Sequence, residues 1–83
     1  MTESNSEKQQ LFHLADVVRL TKISRHTVQY YLLLGLVTET QRTPGGHRLF
    51  DNAAVRRIKL IQQLNRSGYT LQEIRQTFFT HSS

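Results

Sequence analysis

The sequence predicts a mainly α-helical, winged helix-turn-helix domain with a two-stranded hairpin wing and two further helices. Three observations carry this. Two short helical stripes are separated by a break at Lys22-Ile23-Ser24, a basic, glycine-rich turn follows them, and two more amphipathic segments follow the turn. A chain of 83 residues allows one domain, expected over 11–80. The polar stretch 1–10 is expected to be a disordered tail and 81–83 a frayed end.

The first helix rests on Leu14, Val17, Val18, Leu20 and Ile23, whose spacing fits one buried stripe. Ser24 then suits an N-cap, because its hydroxyl can accept from the orphan amides of the next turn. A second helix is expected from Arg25 to about Leu34, ending at Gly35, which tolerates the left-handed conformation. Val37–Gln41 and His47–Phe50 suit strands, so the wing spans 37–50. Between them Pro44 fixes one central φ, and Gly45 is expected to supply the positive φ that follows. Asp51 is a natural N-cap for a third helix from Asn52 to about Arg66, with Val55, Ile58, Leu60, Ile61 and Leu64 as its stripe and Gly68 at its end. Thr70-Leu71-Gln72-Glu73 is a capping-box pattern that opens a fourth helix, with Leu71, Ile74 and Phe78 on one face.

Composition narrows the function. Eleven Lys and Arg against six Asp and Glu give a net charge of +5. No cysteine is present, which excludes disulfides, thiolate zinc sites and thiol catalysis. The longest apolar run, Leu32 to Val37, falls far short of the roughly 18–20 residues of a membrane span. The N-terminus has no apolar segment of the kind a secretory signal needs. These features point to a cytoplasmic, nucleoid-associated protein that meets an anion: nucleic acid first, a membrane surface second. His13, His26, His47 and His81 lie at no i, i+3 or i+4 spacing, so no metal is expected. Gly45-Gly46 is too short for a nucleotide loop and no Ser/His/Asp arrangement stands out, so neither a cofactor nor an enzyme is expected.

On a helical wheel Val28, Tyr31 and Leu32 share one face of the second helix, while Arg25, His26 and Gln29 fall on the other. A recognition helix needs this division: an apolar back, and donors near its N-terminus that enter the major groove. Gln29 can contact adenine through both atoms of its amide, and Arg25 guanine or a phosphate. Arg42, His47 and Arg48 give the wing cations that reach phosphates or a minor groove. Without the neighbouring wing, Arg25 and Gln29 would be ordinary solvated helix residues. Lys22, Arg56, Arg57, Lys59 and Arg66 are read as general surface charge.

Phe12-His13-Leu14-Ala15-Asp16-Val17-Val18, Ile23-Ser24, Thr27-Val28-Gln29-Tyr30-Tyr31, Gly35-Leu36, Arg42, Gly46-His47-Arg48-Leu49-Phe50 and Gly68-Tyr69-Thr70-Leu71-Gln72-Glu73-Ile74 together resemble the DNA-binding domain of MerR-family transcriptional regulators. The resemblance runs without gaps from Phe12 to Phe78. It implies a winged helix-turn-helix that binds pseudo-palindromic promoter DNA as a homodimer. It also implies that the duplex is distorted so that RNA polymerase can use badly spaced promoter elements. By resemblance Thr27, Gln29 and Tyr30 occupy the recognition-helix contact positions, and Arg42 and Arg48 those of the wing. With their neighbours, the candidate DNA-binding residues are Ser24, Arg25, His26, Thr27, Gln29, Tyr30, Arg42, His47 and Arg48. The sequence departs from the family where Gln29 replaces a usual Arg, Lys22 a usual Gly, Leu32 a usual Glu and Phe50 a common Tyr. Two alternatives share these features: an architectural, excisionase-like DNA-binding protein, and a protein-interaction adapter that uses the Tyr30–Leu36 run, in which Leu33 alone is expected to be exposed.

Overall fold

In the computed structural model, which describes residues 10–78, helix α1 (Leu14–Thr21) starts from a short strand, β1 (Phe12–His13). The Asp16 carboxylate accepts from the His13 backbone N–H at 3.1 Å and sits 3.0 Å from the Arg19 guanidinium. That places an anion on the positive end of the helix dipole. The His13 N–H first, and Arg19 second, hold the Asp16 carboxyl below the usual carboxylate range. The helix ends at Lys22, whose N–H donates to Val18 O at 2.9 Å and whose backbone is left-handed, φ 64° and ψ 22°. Buried Thr21 is fully engaged at this corner. Its hydroxyl donates to Val17 O at 2.8 Å and accepts from the Ile23 N–H at 3.1 Å, which turns Ile23 into the core.

Helix α2 (Arg25–Leu33) opens on Ser24, whose Oγ accepts from the Thr27 N–H at 3.1 Å. It closes in a Schellman motif, with Leu36 N–H donating to Tyr31 O at 3.0 Å and Gly35 N–H to Leu32 O at 3.1 Å. The motif demands a left-handed residue at Gly35, φ 78°, and drives Leu36 into the core.

The chain then crosses the core before it forms a strand. The expected strand over Val37–Gln41 is therefore corrected: Leu36 and Val37 are both buried, so strand alternation is absent, and β2 is only Gln41–Arg42. The expected His47–Phe50 strand is β3 (Arg48–Phe50). The wing also gains a strand that was not anticipated. β1 pairs antiparallel with β3 in the order β1-β3-β2, with Phe12 opposite Phe50 and Arg42 opposite Arg48. At the tip, Gly46 N–H donates to Thr43 O at 2.9 Å and Thr43 N–H to His47 O at 2.9 Å. The positive φ belongs to Gly46, at 90°, not to Gly45 as expected. The loop is a turn over Pro44-Gly45 followed by a left-handed glycine, the usual three-residue hairpin solution.

Helix α3 (Asn52–Arg66) is capped by Asp51, whose Oδ1 accepts from the Ala54 N–H at 2.8 Å. Val55, Ile58 and Ile61 are buried and Leu64 is partly so. Leu60 is 43% exposed rather than part of the stripe, because at 100° per residue it lies 200° round from Ile58. Leu20, at the C-terminal end of α1, is likewise exposed. Helix α4 (Leu71–Phe78) opens on a reciprocal capping box: Glu73 N–H to Thr70 Oγ1 at 3.0 Å and Thr70 N–H to Glu73 Oε1 at 2.8 Å. Ile74 enters the core, while exposed Phe78 packs edge-on against Tyr69 at 5.5 Å. Val17, Val28, Leu36, Phe50, Ile58, Ile61 and Ile74 meet where the four helices back onto the sheet, leaving one face of α2 and the wing outward. The expected tail, Gln10 apart, and the expected frayed end lie outside the described residues. No helix among the described residues is long and apolar enough to cross a membrane.

Candidate nucleic-acid interface

Val28 and Tyr31 anchor the back of α2, and burial pushes the Tyr31 phenol up from its ordinary value. Arg25, His26, Gln29 and Tyr30 are exposed on the remaining surface, and Thr27 is half-buried. The Ser24 hydroxyl donates to Thr27 Oγ1 at 2.9 Å while it caps Thr27 N–H, so both hydroxyls are held at the helix start. No acidic residue lies in the first turn of α2, in contrast to Asp16 in α1 and Glu73 in α4. Its free N–H groups and Arg25 face outward as one positive end.

The hairpin folds back toward this end. A groove of about 390 Å³ is lined by Arg25 from α2, Gly46, His47 and Arg48 from the wing, and His13, Leu14 and Ala15 from the start of α1. Three of the expected site residues thus share one cationic concavity, and His13, not anticipated, joins them. Tyr30 lines a separate hollow against Leu71 and Arg75 of α4. A further hollow, about 620 Å³, lies between residues 35–40 and the start of α3 and contains none of the expected site residues.

Arg42 lies opposite Arg48 on the wing, outside that groove. Both arginines are held by a residue the sequence did not single out. Glu39 Oε2 accepts from Arg42 Nε at 2.8 Å and Glu39 Oε1 from Arg48 Nε at 3.3 Å. Arg42, chiefly, and then the Glu39 backbone amide hold the Glu39 carboxyl below the usual carboxylate range, with a smaller contribution from Arg48. The Glu39–Arg42 spacing of three was visible in the sequence, but the Arg48 contact depends on hairpin register.

A family model for the MerR HTH family regulatory protein matches residues 12–78. The chain belongs to the MerR HTH family. Among its relatives, the nodulation protein NolA of Bradyrhizobium sp. (strain NC92) is 31% identical over 75 residues, 90% of this chain and 31% of that protein. The mercuric resistance operon regulatory protein of Bacillus cereus is 32% identical over 63 residues, 76% of this chain and 48% of that protein. The chain thus spans about three tenths to about half of the length of these relatives. In fold it is similar to a MerR-family transcriptional regulator from Bacillus cereus, with TM-score 0.78 and 20% identity over 89% of this chain and 55% of that one. It is also similar to HiNmlR, a MerR-family regulator lacking the sensor domain and bound to promoter DNA, with TM-score 0.76 and 25% identity over 81% of this chain and 51% of that one. The described residues are therefore a MerR-type winged helix-turn-helix, the DNA-binding domain of a transcriptional regulator.

Proposed function

We propose that this domain binds double-stranded promoter DNA sequence-specifically, with α2 in the major groove and the wing on the backbone. The observation that carries this is the shared groove in which Arg25 of α2 meets His47 and Arg48 of the wing. A nine-residue helix is about 13 Å long, against a major groove about 12 Å wide, and its N-terminal half is the part that reaches base edges. In this reading Gln29, His26 and Arg25 face the bases, with Thr27 and Tyr30 at their flanks. Ser24, Arg42, His47 and Arg48 take the phosphates. The domain acts without a cofactor or catalysis, in the cytoplasm on the nucleoid. It pairs as a homodimer on pseudo-palindromic DNA and places the duplex for RNA polymerase; the promoter-bound relative supports the DNA part of this reading.

Selection from a random duplex library tests it. The expected result is a pair of enriched half-sites and binding that weakens linearly in log–log form with salt. Salt-dependent binding without enrichment would favour the architectural alternative, and no duplex binding would favour the adapter. For the adapter the structure offers one apolar side chain on α2 that stands almost wholly in solvent, Leu33, 80% exposed.

A further inference from the structure

Arg42 and Arg48 are direct cross-strand partners in the β2–β3 pair. Like charges placed opposite one another repel and splay, so an isolated hairpin would hold neither side chain in one place. Glu39 stands between them. Its backbone is fixed from both sides: Val37 is buried in the core, Thr40 N–H donates to Leu49 O at 2.8 Å, and Thr40 Oγ1 accepts from the Asp51 N–H at 2.9 Å. The Glu39 side chain is only 20% exposed, against 51% and 41% for Arg42 and Arg48. The anion therefore lies beneath and the guanidiniums above. Both bonds run through Nε, and among the described residues neither arginine uses its terminal nitrogens for another hydrogen bond. Those ends carry the paired donors that suit a phosphate.

We propose that Glu39 is a positioning residue for the wing: one carboxylate grips both arginines by Nε and aims their terminal nitrogens as a fixed pair at the DNA backbone. The inference rests on the DNA-binding reading above. It has a consequence that charge alone does not. A phosphate contact fixes the register of a specific complex, whereas a random duplex offers many equivalent registers. Loss of the grip should therefore weaken the specific complex more than the non-specific one. Loss of the negative charge should strengthen both.

Two substitutions separate these effects, each measured on the duplex that the wild-type chain enriches and on a random-sequence duplex of equal length, at one salt concentration. Glu39→Asp keeps the charge but is shorter by one methylene and cannot span both Nε atoms. The ratio of selected to random affinity should fall roughly two- to tenfold, the range that two exposed ion pairs support, with random-duplex affinity unchanged. Glu39→Gln should lower the same ratio while random-duplex affinity rises. A merely structural role would reduce the folded fraction and weaken both duplexes by one factor, leaving the ratio intact. A wild-type ratio in Glu39→Asp would overturn the proposal. If the wild-type chain binds neither duplex in a salt-dependent way, the DNA-binding reading itself fails, a result distinct from normal wild-type binding with an unaffected Glu39→Asp.

Discussion

Lys22→Gly should stabilise the domain. Lys22 is the one non-glycine residue with positive φ among the described residues, at φ 64° and ψ 22°. In that conformation Cβ crowds the following carbonyl, at a cost of roughly 1–2 kcal/mol that glycine does not incur. Glycine loses more chain entropy on folding, roughly 0.5–1 kcal/mol, so the net gain is about 0.5–1 kcal/mol. Little else changes. Lys22 is exposed, and the bond from its N–H to Val18 O is a backbone bond that glycine keeps. For a domain of this size the gain corresponds to a rise in Tm of about 2–8 °C. Thermal unfolding followed by circular dichroism at fixed salt reads it, and Lys22→Ala is the control. Alanine removes the same charge from a chain of net charge +5 but keeps the Cβ. If Lys22→Gly melts at or below the wild type, or if Lys22→Ala gives an equal rise, the strain argument is refuted and charge relief takes its place.

Gln29→Arg should bind random duplexes more tightly and shift preference at one position per half-site away from adenine by about 1–3 kcal/mol, read on duplexes varied one position at a time; if it and Gln29→Ala both leave every preference unchanged, Gln29 is not a reader. Arg48→Ala should weaken binding by a similar factor across single-position variants and lower the salt slope by about one unit. Relaxed preference at one base would instead place the wing in a groove. The carboxyls of Asp16 and Glu39 are both held below their ordinary values of 3.8 and 4.5. Depressed carboxylates contribute fully above those values and lose their contribution as pH falls through the folded ones. Tm should therefore drop as pH passes below about 4.5, and less so in the Asp16→Asn, Glu39→Gln double variant; an equal drop in that variant would assign acid sensitivity to other groups.

What was legible in the sequence follows the range of the chemistry. Ser24, Asp51 and the Thr70/Glu73 box each bond to an amide three residues away, so residue type and spacing were enough to place the starts of three helices. The helix ends at Gly35 and Gly68 were equally local. The sheet was not. Strand β1 is two residues long and exists only because Phe50 lies beside Phe12, a pairing that no periodicity records. Val37 has strand propensity, but its place is set by the closure of α2, which sends two successive residues into the core. Gly45 and Gly46 are indistinguishable by composition, and the hairpin's register decides which takes the positive φ. For the site, the wheel put Arg25, His26 and Gln29 outside and Val28 and Tyr31 inside, and the structure has them so. Glu39 escaped because its second partner, Arg48, comes from the opposite strand, and His13 because the residues that share its groove lie across the fold.

Three of the four helix starts carry an acid and that of α2 does not, which has a cost. Helices α1 and α4 carry Asp16 and Glu73 in their first turns, where the helix dipole favours anions. Helix α3 has the Asp51 carboxylate at its N-cap, whereas α2 carries no acid at its start and places Arg25 at its positive end. At that position Arg25 forgoes or reverses a contribution of roughly 0.3–1 kcal/mol. In a domain this small, that is a noticeable share of the few kcal/mol available. Arg57, further along α3, donates from Nε to Leu36 O at 2.7 Å and ties α3 to the end of α2. Arg25 has no acidic partner among the described residues. Its unfavourable placement is relieved only by an anion from outside, and the groove it shares with His47 and Arg48 is where a DNA phosphate would supply one. On the proposed DNA-binding reading, a duplex supplies the start of α2 with an anion that the described residues do not, so DNA binding and local stability should be coupled there.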